Sequence, residues 1–392
     1  MIKAIEYRIY PNKEQEELLQ KTFGCTRFVY NYFLEKRITL WKEKKESTTR
    51  FKQDKELTEL KKEIEWLKEP DKCALQNAVK DLDAAYRNFF NKKECGHPNF
   101  KSKRKGRKSY STDNRVKVDG NRVFIPKLKW VKCRVSKEVD GKVIGATIKQ
   151  SPSGKYFISI RYEAEHNPLP KTGKETGIDV GVKEMAITSD GRKFANNKRL
   201  NKSEKKLARL QRQLSRKSKG SNRRAKARIK VARQYEKISN QRKDDIHKAT
   251  TELARNYDLI CVEDLNVKGM VKNHRLAKSV SDASMGEFHR QLAYKCEWYG
   301  KKLVKVDRFY PSSQLCSECG YRNREVKDLS VRMWTCPECG VIHDRDINAA
   351  KNILAEGKSR VGHTQIYARG DCVRRVPCGE IVTVGETRIP RL

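Results

Sequence analysis

Long apolar segments are absent from this sequence of 392 residues. No run approaches the roughly 18 to 20 apolar residues that a membrane-spanning helix needs. The start of the chain, Met1–Tyr7, lacks the apolar stretch of a secretory signal peptide. These absences argue against a membrane protein and against a secreted protein, and we expect a cytoplasmic protein that does not bind a membrane.

Acidic residues are also scarce. The chain has 49 Asp and Glu against 88 Lys and Arg, which gives a formal net charge of +39. So large an excess goes beyond what solubility needs and favours binding to a polyanion. Because the missing apolar segments disfavour a membrane surface, nucleic acid is the predicted partner.

Few cysteines fall in a repeated spacing. Of the twelve cysteines only four form a pattern, and several others, such as Cys261, lie inside apolar runs. This usage argues against a disulfide framework and fits a reduced compartment. The patterned residues are two C-x-x-C pairs, Cys316 with Cys319 and Cys336 with Cys339. Two pairs at this spacing predict one structural Zn²⁺ with four thiolate ligands, although His343 could replace one of them.

The N-terminal part mixes strand and helix signals. Residues 2–10 alternate as an edge strand does, and Asp-Gly and Ser-Gly turns separate short apolar runs further along the chain. We therefore predict a small β-barrel of residues 1–10 and 94–170, with residues 11–93 as an inserted helical bundle. The basic segment 95–112 is predicted to be a loop.

Strands and helices alternate from Gly177 onward. This order predicts an RNase H-like domain at residues 171–311 and 344–356, with a zinc ribbon inserted at 312–343. The last residues, 357–392, are basic and lack periodicity, so we expect a poorly ordered tail. The predicted fold class is thus α+β and α/β in several domains.

Three acids occupy positions that suit a metal-dependent nuclease. Asp179 lies in an apolar strand between glycines, Glu263 ends an apolar strand, and Asp346 begins a helix. An RNase H-like fold gathers carboxylates from such positions around two divalent cations, and their oxygen ligands favour Mg²⁺ or Mn²⁺. Two such ions can activate water for phosphodiester hydrolysis. Asp344 is an alternative to Asp346, unless it caps the helix, and Asp264 is a weaker alternative to Glu263.

Two segments concentrate positive charge, the helical region 197–247 and the loop 101–110. Like charges four residues apart destabilise a helix, so contact with phosphates explains them better than a solvated helix face does. Aromatic residues in the loop could stack on bases. The predicted nucleic-acid contacts in these segments are Lys103, Arg104, Tyr110, Arg216, Arg223 and Arg224.

Several short motifs together resemble the TnpB proteins of bacterial and archaeal insertion sequences. They are Gly-Ile-Asp-Val-Gly at 177–181, Val-Glu-Asp-Leu at 262–265, the two cysteine pairs, and Asp-Arg-Asp-Ile-Asn-Ala-Ala at 344–350. The resemblance covers nearly all of the chain up to about residue 356. It implies an RNA-guided DNA endonuclease related to type V CRISPR effectors, whose RuvC triad falls on Asp179, Glu263 and Asp346.

The resemblance also implies partners. A guide RNA from the element's end would pair with double-stranded target DNA, while the protein reads a short flanking motif. Gln76, Asn77, Lys80 and Tyr110 are the predicted readers, since Gln and Asn can pair bidentately with adenine. We expect a monomer bound to its RNA in a bacterial or archaeal cytoplasm. The alternatives are a guided repressor without cleavage, which the complete triad disfavours, and a transposase that joins DNA strands.

Overall fold

The computed structural model describes residues 1–103, 106–113, 115–328 and 330–367, with side chains as far as Val361. These residues form two compact units. The first unit contains Met1–Pro168 and Lys198–Asp245, and the second contains Leu169–Asn197 and the chain from Ile246 onward. Every helix among them is too short or too polar to cross a membrane.

The first unit contains an antiparallel sheet of seven strands. They are β1 (Ile2–Tyr10), β2 (Lys108–Thr112), β3 (Lys117–Asp119), β4 (Arg122–Ile125), β5 (Lys129–Arg134), β6 (Lys142–Gln150) and β7 (Tyr156–Glu163). They pair in the order β2-β6-β7-β1-β5-β4-β3. The described residues show no pairing between the edge strands β2 and β3, so the predicted closed barrel is not confirmed.

The helices of the first unit follow the periodicity of the sequence. They are α1 (Lys13–Lys44), α2 (Arg50–Glu63), α3 (Lys72–Asn91), α4 (Arg199–Ser215) and the first part of α5 (Asn222–Asn256), with a 3₁₀ turn at Glu65–Lys68. α1 begins at a capping box: Asn12 Oδ1 accepts from the Gln15 amide at 2.8 Å, and Gln15 Oε1 accepts from the Asn12 amide at 3.0 Å. These reciprocal bonds satisfy two amides that the helix itself leaves without partners.

Residues 108–112 form strand β2 instead of part of the predicted basic loop. Tyr110 is only 6% exposed, and its ring centre lies 5.8 Å from that of Phe23. The strand was hard to predict because serines alternate with its two buried residues, Tyr110 and Thr112, and a lysine begins it, whereas strands are typically rich in β-branched and aromatic side chains. The prediction that Tyr110 stacks on bases or reads the flanking motif is therefore wrong.

The second unit is built on a mixed sheet of five strands. They are β8 (Glu175–Asp179), β9 (Glu184–Thr188), β10 (Lys193–Ala195), β11 (Leu259–Glu263) and β12 (Lys302–Val306), in the order β10-β9-β8-β11-β12. β11 is parallel to both β8 and β12, whereas β9 is antiparallel to β8 and β10. The first four residues of β11 are apolar and buried, as expected of a central parallel strand.

The remaining elements of the second unit lie between and after these strands along the chain. They are the rest of α5, then α6 (Val267–Lys272), α7 (His274–Ala283), α8 (Met285–Tyr299), a 3₁₀ turn at Glu325–Lys327, the hairpin of β13 (Met333–Thr335) and β14 (Ile342–Asp344), and α9 (Arg345–Tyr367). β14 leads directly into α9, so the hairpin fixes where that helix begins.

Helix α9 packs closely on the sheet. A Cβ atom on Gly177 would lie 2.0 Å from the Ala350 carbonyl oxygen, and one on Gly357 would lie 2.2 Å from Cys261 Sγ. Only glycine fits at both positions, because these distances are far below van der Waals contact. The prediction of a poorly ordered tail from residue 357 is wrong for residues 357–367, which continue the helix. Residues 368–392 lie outside the described part of the chain.

Candidate active site

Two of the predicted acids end neighbouring strands. Asp179 is the last residue of β8, and Glu263 is the last residue of β11. Because Ile178 pairs with Val262 in a parallel register, the next residue of each strand lies at the same edge of the sheet. Asp346 stands in the first turn of α9, which packs on β8. The fold thus brings the three predicted acids together.

Electrostatic interactions link Asp179 with the other two acids. Burial, followed by the charges of Glu263 and Asp346, raises the pKa of Asp179 to about 7. Burial also raises the pKa of Glu263, although a 2.6 Å hydrogen bond from the Ser312 hydroxyl partly offsets this effect. A carboxyl group whose pKa is raised by burial and by two neighbouring acids is a favourable place for cations.

The alternative acids have other partners. Asp344 Oδ1 accepts from the amides of Asp346 at 3.0 Å and Ile347 at 3.3 Å, so Asp344 caps the start of α9. Its second oxygen pairs with Lys193 at 3.1 Å. Asp264 forms ion pairs with Lys305 and Arg308 at 3.4 and 3.2 Å. Neither acid contributes to the raised pKa of Asp179.

Two arginines connect the cysteine-rich segment with this site. Arg332 Nη1 lies 3.4 Å from Asp346 Oδ1. The buried Arg345 donates to the carbonyl oxygens of Asp328 and Val331, and its charge opposes the raised pKa of Asp179. The loop that precedes β13 is therefore held against the start of α9.

The four patterned cysteines converge. Among the described residues they are the only group of three or more possible metal ligands whose donor atoms all lie within 4.8 Å of one another. The Sγ atoms of Cys316 and Cys339 are 3.7 Å apart, and those of Cys319 and Cys336 are 3.6 Å apart. A tetrahedron with Zn–S bonds of about 2.3 Å has S···S edges of about 3.8 Å. The cluster therefore has the dimensions of a structural zinc site.

His343 lies beside this cluster. Its ring is buried, and Nε2 is 3.1 Å from Cys316 Sγ. A nitrogen and a sulfur that shared one zinc ion would be farther apart, at about 3.6 Å. His343 therefore fits as a hydrogen-bond partner of the Cys316 sulfur, which leaves four cysteines as the ligands.

Two buried asparagines on α9 join the cysteine cluster to the acids, a role that the sequence did not predict. Asn348 donates to the Leu315 carbonyl at 2.6 Å and accepts from the Ser317 amide at 2.9 Å. Asn352 donates to the carbonyls of Ser312 at 2.8 Å and Leu315 at 2.7 Å. The one available signal was their spacing of four residues, which places both on one face of the helix.

The predicted motif readers on α3 differ in their surroundings. Gln76 and Lys80 are exposed. Asn77 is half-buried, and its amide donates to the Ser111 carbonyl at 3.0 Å. Since a bidentate contact to adenine needs both ends of the amide group, Gln76 suits this role better than Asn77.

The predicted phosphate contacts also differ. Lys103, Arg216 and Arg223 are exposed. Arg224 donates to the carbonyls of Leu214 and Lys217 at 2.9 and 2.8 Å, so its guanidinium caps the C-terminal end of α4. Arg104 lies outside the described residues.

Three protein families match separate segments of this chain. Residues 159–274 match a family described as "Probable transposase", and residues 286–353 match the "Cas12f1-like, TNB domain". Residues 1–46 match a family described as "Helix-turn-helix domain". In this structure those residues form one strand and one continuous helix, β1 and α1.

Two curated relatives match over nearly their whole length. A "Putative RNA-guided DNA endonuclease" of Streptomyces pristinaespiralis is 39% identical, over 91% of this chain and 89% of the relative. InsQ of Escherichia coli, which carries the same description, is 35% identical, over 96% of this chain and 97% of the relative.

A solved structure extends the comparison to the fold. The structure of "the mini-RNA-guided endonuclease CRISPR-Cas_phi3" superposes with a TM-score of 0.51 at 10% identity, and covers 91% of this chain and 92% of the other. This likeness concerns the fold alone. With the motifs, the family matches and the identity to full-length relatives, it is clear that the chain belongs to the TnpB family.

Proposed function

We propose that this protein is the RNA-guided DNA endonuclease of an insertion element and that Asp179, Glu263 and Asp346 form its hydrolytic site. The observation that carries the proposal is the placement of the acids: Asp179 and Glu263 end neighbouring parallel strands, and Asp346 stands in the first turn of the helix that packs on them. Burial and the two other acids raise the pKa of Asp179 to about 7, which agrees with this placement. Metal-dependent hydrolysis of a phosphodiester accounts for three carboxyl groups gathered beside one sheet edge. The description of two relatives as RNA-guided DNA endonucleases supports DNA as the substrate and RNA as the guide.

The strand order supports an RNase H-like, RuvC-type domain. Three parallel strands flanked by an antiparallel pair present Asp179 and Glu263 at one edge. We propose that residues 171–311 and 344–356 form this domain, that 312–343 form a zinc ribbon, and that 11–93 form a recognition lobe inserted into a sheet domain of 1–10 and 94–170.

The donor atoms suit two kinds of metal. Carboxylate oxygens fit Mg²⁺ or Mn²⁺, and three carboxylates can hold the two ions of a two-metal hydrolytic site. The four thiolates fit one structural Zn²⁺. Bound divalent cations would supply Lewis acidity and a nucleophilic water at neutral pH.

The chain's own residues place the acids. Asp344 caps α9 and so fixes the position of Asp346 in its first turn. The Ser312 hydroxyl orients Glu263, and Asn352 holds the Ser312 backbone. Asp179 must be ionised to bind a cation, which its raised pKa opposes until the cation is present.

We propose a guide RNA and double-stranded DNA as the partners of a monomer in the cytoplasm. The formal charge of +39 favours contact with phosphates. The exposed side chains of Lys103, Arg216 and Arg223 are proposed phosphate contacts, and Gln76 and Lys80 are proposed readers of the flanking motif.

The test begins with purification from cells that carry the flanking DNA, followed by sequencing of the RNA that copurifies. A discrete RNA that ends at the element's boundary, and Mg²⁺-dependent cutting of DNA that matches it, are the expected results. Specific RNA binding without cutting would favour the guided repressor. Joined DNA ends without an RNA requirement would favour the strand-transferring transposase.

A further inference from the structure

Phe309 is the most exposed large apolar side chain among the described residues, at 86%. It follows β12, and its neighbour Tyr310 instead packs against the buried cluster that contains Val306. Single exposed apolar residues are common on proteins and identify no site by themselves. Two properties of the loop that carries Phe309 set this residue apart: the loop is fixed by hydrogen bonds, and it contacts Glu263.

The loop is held on both sides of the ring. The Phe309 amide donates to Asp307 Oδ1 at 2.9 Å, and the Tyr310 amide donates to the Asp307 carbonyl at 3.2 Å. Arg308 donates to the Asp264 carbonyl at 3.1 Å and to its carboxylate at 3.2 Å. The ring is thus presented to solvent by a braced turn, which reduces the entropy lost when a partner covers it.

The same loop reaches the proposed active site. Ser312, three residues after Phe309, donates to Glu263 Oε1 at 2.6 Å. Three residues of extended chain span at most about 11 Å, so Phe309 lies within that distance of the Ser312 backbone. Phe309 therefore lies in the chain between Arg308, which binds Asp264, and Ser312, which binds Glu263.

We propose that Phe309 stacks on a base of the DNA strand held at the carboxylates, within one or two nucleotides of the cut phosphate. This inference rests on the proposed nuclease function. The charges of Lys305 and Arg308 are balanced by those of Asp264 and Asp307, so the loop has no net negative charge that would repel a DNA strand. The formal charge of +39 on the whole chain favours nucleic acid over an apolar protein partner. Stacking accepts every base, which suits an enzyme whose sequence is read by its guide.

Single-turnover cleavage by the RNA-bound protein tests this role. We expect Phe309→Ala and Phe309→Leu to cut about ten-fold more slowly, since a stacked base contributes that much or more, and Phe309→Trp to cut at nearly the wild-type rate. Trp130→Ala, at an aromatic residue that is 42% exposed on β5 of the sheet domain, is the matched control. A wild-type rate for Phe309→Ala, or full activity of Phe309→Leu, would overturn the proposal.

An abasic scan of the substrate supplies a second measurement, and its first part uses the wild-type protein alone. One abasic position near the cut should slow the wild-type protein about ten-fold and should have little further effect on Phe309→Ala, because both changes remove the same contact. Additive losses at every position would refute stacking. If the wild-type protein does not cut at all, the nuclease function itself is refuted. This outcome differs from a failure of the stacking proposal alone, in which the wild-type protein still cuts.

Discussion

The two candidate metal sites of the second unit differ in how closely their ligands converge. Four sulfur atoms lie within 4.8 Å of one another, whereas the three carboxyl groups form no such compact group. The cysteines come from two short turns, each of which places its own pair of ligands. The acids come from two strands and a helix that only the complete fold brings together.

The difference separates a stabilising site from a reactive one. A closed shell of four thiolates leaves no position for a substrate or a water molecule. The carboxyl site, which we call open because it lacks such a closed shell of ligands, is electrostatically strained, because burial and the charges of the two other acids raise the pKa of Asp179. Strain of this kind lowers stability and is typical of functional sites. Removing a ligand should therefore have opposite effects on stability at the two sites.

The largest expected effect is on catalysis, at the open site. Asp179→Ala should slow DNA cleavage at least about 10³-fold, since it removes a ligand of ions that supply both the nucleophile and charge stabilisation. RNA binding and zinc content should not change. Single-turnover cleavage and filter binding measure the two properties. Glu252→Ala, at an exposed acid paired with Arg192, is the control, and loss of RNA binding by Asp179→Ala would make that residue structural instead.

The closed site should respond through folding. Cys316→Ser combined with Cys319→Ser should eliminate zinc binding, unfold the ribbon and reduce cleavage about 100-fold or more, since structural zinc contributes most of the folding free energy of small domains. Metal analysis and proteolysis within 312–343 measure these losses. Cys95→Ser, at a cysteine outside the cluster, should change neither. Full cleavage by a zinc-free variant would show that the ribbon is dispensable.

The same contrast explains what the sequence could predict. The cysteine ligands follow from local spacing, and the structure brings all four together. The acids were found by their positions at strand and helix ends, and the resemblance to a family strengthened that choice. The preference for Asp346 over Asp344 depended on the neighbouring small residues, and the cap formed by Asp344 supports it.

Other features could not be read from the sequence because they depend on long-range contacts. Tyr110 lies in a basic segment, and its burial follows from pairing of β2 with β6. Whether the seven-stranded sheet closes into a barrel depends on whether its edge strands β2 and β3 pair, which local sequence does not determine. Ser312, Asn348 and Asn352 are polar residues with no distinctive pattern, and their role exists only when α9 lies against the cysteine-rich segment.

An intermediate effect is expected where the two sites are joined. Ser312→Ala removes the hydroxyl that donates to Glu263. The pKa of Glu263, already raised by burial, should rise further, because this hydrogen bond lowers it. We expect cleavage about ten-fold slower, since a hydrogen bond to a charged group contributes roughly 1.5–3 kcal/mol, and a rate–pH profile shifted to higher pH. Ser313→Ala is the adjacent control, and an unshifted profile would separate Ser312 from Glu263.

The smallest effect gives the sharpest contrast between the sites, because it is a gain in stability. The pKa of Asp179 is about 7 in the folded chain, against an ordinary value of 3.8 for this side chain, so the folded state loses stability as the pH rises from about 4 to about 7. Asp179→Asn removes that charge. Without added divalent cations, we expect it to raise the free energy of unfolding by at least about 1 kcal/mol at pH 8, and by less at pH 5. Thermal unfolding at both pH values measures the difference, with Glu252→Gln as the control. An equal gain at both pH values would show that the charge of Asp179 is not what strains the open site.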